Sequence, residues 1–369
     1  MKINLQRETL LKPLQMVIGV VERKQSMPIL ANVLLSIKEN KLSITGTDTE
    51  VELIGYTDFI SEVNPPLDFT LPGRKLMDIC RALPENAPIE LYQDKAKIVL
   101  RSGRSRFTLS TLPVEEFPNG ESQTGYLAFT IPQFQLKQLL QRTYFAMAQQ
   151  DVRYYLNGLL FEILQNQLRT IATDGHRLAF NACNITVDAS QKIQVIIPRK
   201  AILELLRLLE DIEQEVGVTL SNGHIHIASE HFMFTSKLVE GRFPDYERVI
   251  PRNGNKTIFI EREPLKQSLS RSAILCNEKY KGIRFEIANH LLKITTNNPE
   301  QESAEEEIMV DYLKEPLDIG FNVSYLLDVL NTIKSDTVKF TFSDSNKSTL
   351  IEETGQYISS LFVIMPMCY

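Results

Sequence analysis

The chain of 369 residues contains no tryptophan, and Phe and Tyr bring its aromatic content to only 8%. A stacking platform for single-stranded nucleic acid is therefore not expected, because such sites are built from clustered rings. Its four cysteines, Cys80, Cys183, Cys276 and Cys368, form no C-x-x-C pair. Their wide spacing suits neither a zinc site nor a disulfide framework, so reduced thiols are expected. No run approaches the ~18 consecutive apolar residues of a membrane span. The opening MKINLQRETLLKPLQ is interrupted by charges and lacks a signal-peptide core. A soluble, cytoplasmic protein with no membrane partner is the expectation. Phosphate loops, dinucleotide fingerprints, nucleophile elbows and H-E-x-x-H zinc motifs are all missing. Neither an active site nor a cofactor is expected.

What is present is an ordinary globular composition, 43% apolar and 23% charged, with a net charge of −6. Such mild acidity gives no overall attraction to phosphates, so any DNA contact needs a segregated basic surface. The chain also repeats itself. NKLSITGTD (Asn40–Asp48) recurs as NQLRTIATD (Asn166–Asp174) and again as HLLKITTNN (His290–Asn298). The same spacings recover NVLLSI, GLLFEI and GIRFEI upstream, and RKLMDICRAL, KAILELLRLL and SYLLDVLNTI downstream. A shared spacing in separate segments marks triplication. Each unit reads as a strand, a helix with apolar residues at a 3.6 period, alternating strands, a second helix and closing strands. Strands and helices mix without steady βαβ alternation, which predicts an α+β fold of antiparallel sheets with two helices per unit. Turn-forming stretches place the domain limits at 1–125, 126–254 and 255–369.

Charge is sorted between surfaces. The three first helices carry Arg7, Lys12, Lys137, Arg142, Lys266 and Arg271, whereas acids gather at Glu210–Glu215 and Glu300–Glu307. Recurrence of basic helices in a net-acidic chain points to a surface that tracks phosphates without reading bases. Thr173-Asp174-Gly175-His176-Arg177 looks catalytic, but the repeat has Thr47-Asp48 and Asn297-Asn298 in the same turn without His. Asp174 is better read as a turn residue. His224 and His226 share a strand face without a third metal ligand. The chain end, ISSLFVIMPMCY, is unusually apolar, and its methionines suit an adaptable binding surface.

Several strings resemble one family along the whole chain: ITGTD from Ile44, RSGRSRFTLSTLP from Arg101, QDVRYYLNG from Gln150, TDGHRLA from Thr173, SKLVEGRFPDYERV from Ser236, GFNVSYLLDVL from Gly320 and VIMPM from Val363. They are similar to the bacterial sliding clamps, the beta subunits of DNA polymerase III. The resemblance implies three tandem DNA-clamp domains that close as a head-to-tail homodimeric ring around duplex DNA, without catalysis or metal. It implies DNA contacts at Lys24, Arg74, Gln150, Tyr154 and Tyr155. A pocket for short peptides of DNA polymerases and of an ATP-dependent clamp loader falls on Leu156, Thr173, Gly175, His176, Arg177, Leu178, Pro244, Arg248, Val249, Val363, Met365, Pro366 and Met367. There His176 and Arg177 are expected to offer polar contacts. The subunit seam falls on Arg104, Arg106, Phe107, Ile274 and Leu275, with the arginines facing the acidic run at Glu300 and Glu302. The ending Cys368-Tyr369 departs from the Arg-Leu of the best-known members. Lys24 stands where some members have Arg. A non-encircling scaffold with the same fold and an enzyme using Asp174 and His176 remain as rival readings.

Overall fold

The computed structural model describes residues 2–21, 27–38, 40–59, 67–118, 120, 124–187, 189, 191–355 and 360–367. The first repeat runs β1 (Lys2–Gln6), α1 (Arg7–Val17), β2 (Asn32–Lys38), β3 (Lys41–Thr47), β4 (Val51–Asp58), β5 (Leu67–Pro72), α2 (Gly73–Ala82), β6 (Pro88–Asp94), β7 (Lys97–Ser102) and β8 (Ser105–Ser110). The second runs β9 (Leu127–Pro132), α3 (Gln133–Gln141), β10 (Gly158–Leu164), β11 (Gln167–Thr173), β12 (Arg177–Asn184), β13 (Ile193–Pro198), α4 (Arg199–Leu208), β14 (Glu215–Ser221), β15 (His224–Ala228) and β16 (Phe232–Lys237). The third runs β17 (Lys256–Glu261), α5 (Arg262–Ser272), β18 (Gly282–Ala288), β19 (Leu291–Asn297), β20 (Ser303–Met309), β21 (Leu317–Asn322), α6 (Val323–Thr332), β22 (Thr337–Phe342), β23 (Thr349–Glu353) and β24 (Ser360–Ile364). The element order is the same in each.

The helices form where the apolar spacing dictates. Leu10, Leu14 and Val17 in α1, Leu136 and Leu140 in α3, and Leu265 and Leu269 in α5 are all buried, one stripe per helix. Pro72 and Pro198 end strands directly before α2 and α4. At the start of α6, the Asn322 side chain accepts a hydrogen bond from the Ser324 amide at 2.9 Å. Helix α1 lies so close to β4 that a Cβ on Gly55 would sit 2.8 Å from the Cα of Pro13. Only glycine fits there.

Strand pairing crosses the repeats. The chain divides into two compact units, one of residues 1–134 and 203–238, the other of residues 135–202 and 239–369. The first unit holds a four-stranded sheet β1-β6-β7-β8 and an eight-stranded sheet β5-β2-β3-β4-β16-β15-β14-β9. The second holds a four-stranded sheet β20-β19-β18-β21 and an eight-stranded sheet β13-β10-β11-β12-β24-β23-β22-β17. Each eight-stranded sheet therefore joins half of one repeat to half of the next, through β4–β16 in the first unit and β12–β24 in the second. The middle repeat is divided between the units, which is why compactness yields two bodies from three copies. Of the six strands that hold this joint position in the three repeats, β8 and β20 have no such partner within the described residues.

Candidate binding groove

The turn that looked catalytic is a structural cap. The Thr173 hydroxyl donates to the Arg177 carbonyl at 2.6 Å and accepts from the Gly175 amide at 3.1 Å. Asp174 Oδ1 accepts the amides of His176 and Arg177 at 2.9 and 3.0 Å. Thr47 and Asp48 make the same four bonds in the first repeat. His176 is exposed. Gly175 has a φ of 89°, and a Cβ there would lie 3.0 Å from Arg153 Nη2. The glycine thus lets the Arg153 guanidinium settle over the turn.

This turn borders a small cavity of about 160 Å³. Of the residues expected there, Leu156, Thr173, Gly175, Arg177, Leu178, Pro244, Val249, Val363 and Met365 line it. Beneath it lies an apolar cluster containing Leu160, Ile171, Leu178, Ile196, Phe243, Tyr246 and Val363. The other expected positions lie elsewhere. Arg248 borders a neighbouring polar cleft and pairs with Asp245 at 2.8 Å. Pro366 is half-buried outside the lining, and the Met367 amide bonds the Gly320 carbonyl at 2.9 Å. The apolar tail is thus tied to β21 beyond Met365, whose own amide bonds the His176 carbonyl at 2.9 Å. Cys368 and Tyr369 lie outside the described residues.

Arg177 is held within the chain. Its guanidinium donates to Asp174 at 3.0 Å, Asp328 at 2.5 Å and the Phe145 carbonyl at 2.7 Å, and it lies over the Tyr325 ring at 4.4 Å. Three of its five N–H donors are thus engaged within the chain while the side chain lines the cavity. Arg153 and Tyr246 line the cavity without having been anticipated. Both sit inside recognised strings, QDVRYYLNG and SKLVEGRFPDYERV. Phe243 and Tyr246, the buried residues of an otherwise exposed stretch, are the signal that could have found the second.

The corresponding joint of the first unit is built from different residues. In the second unit, Val363 of β24 stands opposite Leu178 of β12. The corresponding pair in the first unit is Thr235 opposite Glu52. Burial raises the pKa of Glu52, the cost of a carboxylate held in that position. An apolar anchor is welcome at the first place and not at the second.

Of the positions expected to meet DNA, Arg74 is half-buried, its Nε donating to the Val21 carbonyl at 3.0 Å. Gln150 is exposed, with φ at 56°. Tyr154 is exposed and meets Tyr155 edge-on at 5.9 Å, while Tyr155 packs half-buried against the apolar cluster. Lys24 lies outside the described residues. The basic helices are less cationic than their composition implied. Arg142 is committed to an ion pair with the buried Glu353, Arg271 pairs with Glu306 at 2.6 Å, and Arg7 pairs with Glu8 at 3.1 Å. Lys12 is exposed, and Lys137 and Lys266 are half-buried.

The expected seam positions include residues on or next to β8 and β20. Arg104 and Arg106 are exposed and Phe107 is half-buried at β8; Glu300 and Glu302 are exposed before and within reach of β20. Ile274 stands 77% exposed after α5, beside the half-buried Leu275. Among the described residues no group of three His, Cys, Asp or Glu side chains could hold a metal. His224 and His226 stack at 6.2 Å, and His226 is engaged by Ser221 and Thr235 at 3.2 and 3.0 Å. Burial pushes the Cys80 and Cys183 thiols up to about 12. No described helix is long and apolar enough to cross a membrane.

These features define the class of the protein: three copies of one clamp-like unit, with an apolar groove at one joint and sheet edges left open. The comparisons with known proteins make the class specific. Models of the N-terminal, central and C-terminal domains of the DNA polymerase III beta subunit match residues 1–121, 130–245 and 247–368. The beta sliding clamp of Pseudomonas aeruginosa is 53% identical over 367 residues, spanning 100% of both chains. A crystal structure of the DNA polymerase III subunit beta from P. aeruginosa superposes with a TM-score of 0.97 at 52% identity, again over 100% of each chain. Another sliding clamp structure from that organism, bound to griselimycin, gives 0.96 at 52% over 100% of each. The chain belongs to the beta sliding clamp family, the non-catalytic processivity subunits of DNA polymerase III.

Proposed function

We propose that two copies of the chain close head to tail through β8 of one copy and β20 of the other, forming a ring that encircles duplex DNA. The single observation behind this reading is that the free edges are the missing joint of a repeating series. Phe107, Phe234 and Phe362 hold one position, opposite Leu100, Ile227 and Ile351 of their neighbouring strands. Inside the chain, Phe234 pairs with Leu53 and Phe362 with Ala179. Continuing the series sets Phe107 opposite Ala304, Arg106 opposite Glu305 and Thr108 opposite Ser303 of the next copy. Residues directly opposite share a face, so the arginine meets a carboxylate. This register prefers Glu305 over Glu300 and Glu302 as the counter-charge for Arg106. Phe145 covers Phe362 at 6.0 Å, and Ile274 holds the place of Phe145 in its own repeat. Its exposure suits a residue waiting for the other copy's Phe107. A head-to-tail contact must close or polymerise, and two copies of three units close.

In this reading the ring holds DNA through phosphates and topology, independently of sequence, with Arg74, Gln150, Tyr154, Tyr155 and Lys24 as its DNA contacts. The groove at Leu178 takes short peptides of DNA polymerases and of an ATP-driven clamp loader, and the protein works in the cytoplasm. Griselimycin is proposed to occupy the same groove. The repeat's opening strands, β9 and β17, support domain limits of 1–125, 126–254 and 255–369. A cross-link tests the joint. Thr108→Cys with Ser303→Cys should form disulfide-linked dimers, since facing strand residues lie within disulfide reach. Thr108→Cys with Ala304→Cys, one residue out of register and on the opposite face, should not. Equal cross-linking of both pairs, or of neither, would contradict this joint.

A further inference from the structure

The groove owes one wall to a segment with no ladder of its own. From Leu238 to Asp245 the backbone has no regular structure, and Tyr246–Arg248 forms a single 3₁₀ turn closed by the Val249 amide on the Tyr246 carbonyl at 3.1 Å. Pro244, Tyr246 and Val249 all line the cavity. Phe243 and Tyr246 plug this segment into the sheet beneath, at 6% and 3% exposure. Phe243 can only pack. Tyr246 reaches further, and its hydroxyl donates to Glu162 Oε1 at 2.9 Å.

Glu162 is fully buried, at 0% exposure on β10. Arg169 of β11 and Gln194 of β13 stand directly opposite it on either side. Both donate to its carboxylate, at 3.2 and 2.6 Å, and Lys192 completes the set at 2.9 Å. The partners on the sheet fix the carboxylate, and Tyr246 carries that order outward to the groove; its hydroxyl also accepts from Arg169 at 3.4 Å, and Arg169 pairs with Glu247 of the same segment at 3.9 Å. A buried charge left with fewer partners is costly, so the network holds its geometry tightly. Burial alone would raise the carboxyl pKa of Glu162, but the hydrogen bonds from Lys192, Tyr246 and Gln194 outweigh it and hold it lowered.

We propose that Glu162 is a positioning residue for the groove: through the Tyr246 hydroxyl it fixes the wall formed by Pro244, Tyr246 and Val249, and so sets peptide affinity without touching the peptide. This rests on the reading of the groove as a peptide site. Glu162 sits behind Tyr246 and is outside the cavity lining.

The test titrates a fluorescein-labelled peptide carrying a Leu-Phe pair against the full-length protein and its variants. Tyr246→Phe keeps the ring and removes only the hydroxyl. It should weaken binding by about tenfold, the change that ~1.4 kcal/mol makes, with the dimer mass unchanged. Glu162→Gln, which still accepts from Tyr246, should recover most of the affinity that Glu162→Ala loses. A merely structural role predicts loss in proportion to the fall in unfolding midpoint and the same loss for every peptide. Positioning predicts that a peptide with its Phe replaced by Ala no longer distinguishes Tyr246→Phe from the unaltered protein, a coupling read from the double-mutant cycle. If the unaltered protein does not bind the labelled peptide, the groove reading falls and this inference with it. If it binds and Tyr246→Phe binds within twofold as tightly, the positioning role alone is overturned.

Discussion

Replacing Ile274 with Ala should loosen the dimer far more than a surface change would. The side chain is 77% exposed in the single chain. Its equivalent, Phe145, covers a phenylalanine of the adjoining strand at a centroid distance of 6.0 Å. Full burial of an isoleucine contributes about 1.5–3 kcal/mol, so burying roughly three quarters of it contributes about 1–2 kcal/mol at each joint. A two-copy ring has two such joints. Losing both amounts to about 2–4 kcal/mol, or roughly 30- to 700-fold in the dimer dissociation constant. Sedimentation across a dilution series reads this directly, as the concentration at which twice the 42.2 kDa chain mass gives way to the single chain. A dissociation constant within threefold of the unaltered protein would refute the placing of Ile274 in the joint.

The remaining expectations concern charge, groove and pH. Arg106→Glu should weaken the dimer by setting like charges opposite each other, and adding Glu305→Arg in the same chain should restore it; failure of that rescue in the dilution assay would reject the register. Deleting residues 365–369 should abolish binding of the labelled peptide while costing little stability, because residues 365–367 are held by backbone bonds at Met365 and Met367 and none of the three is fully buried; a large fall in the unfolding midpoint would instead make the tail a core element. Burial, aided by the charge of His224, lowers the His226 pKa, so the folded chain refuses a proton that the unfolded chain takes near pH 6.5. That contribution is present above ~6.5 and is lost as pH falls toward the lower folded value. His226→Gln should therefore flatten the fall in melting temperature between about pH 7.5 and 5.5, and an unchanged slope would contradict it.

Much of the fold was legible because triplication is a local signal repeated. The Thr-Asp turns, the leucine stripes and the prolines before α2 and α4 each need only neighbouring residues to be read. The joints were not. β4–β16 and β12–β24 pair strands from different repeats, and nothing in either strand names its partner. The same long reach hid the fate of Arg142, since a helix arginine reads alike whether it faces solvent or a buried Glu353 distant in sequence. Leu178, Val363 and Met365 were found through the resemblance and are brought together by the β12–β24 pairing. Tyr246 was missed because its place in the lining comes with a bond to Glu162, whose burial has no mark in the sequence. The bonds of Arg177 to Asp328 and Phe145 were not legible either, because those partners come from other elements.

The encircling ring is the central claim, and retention on DNA tests it most directly. The protein is loaded by a purified clamp loader and ATP onto nicked circular duplex, then washed at about 0.5 M salt, where phosphate contacts are greatly weakened. A closed ring predicts that it stays on the circle and is released when a single cut linearises the DNA. Equal retention before and after the cut, or loss from the intact circle, would contradict encirclement and favour a scaffold that merely shares the fold.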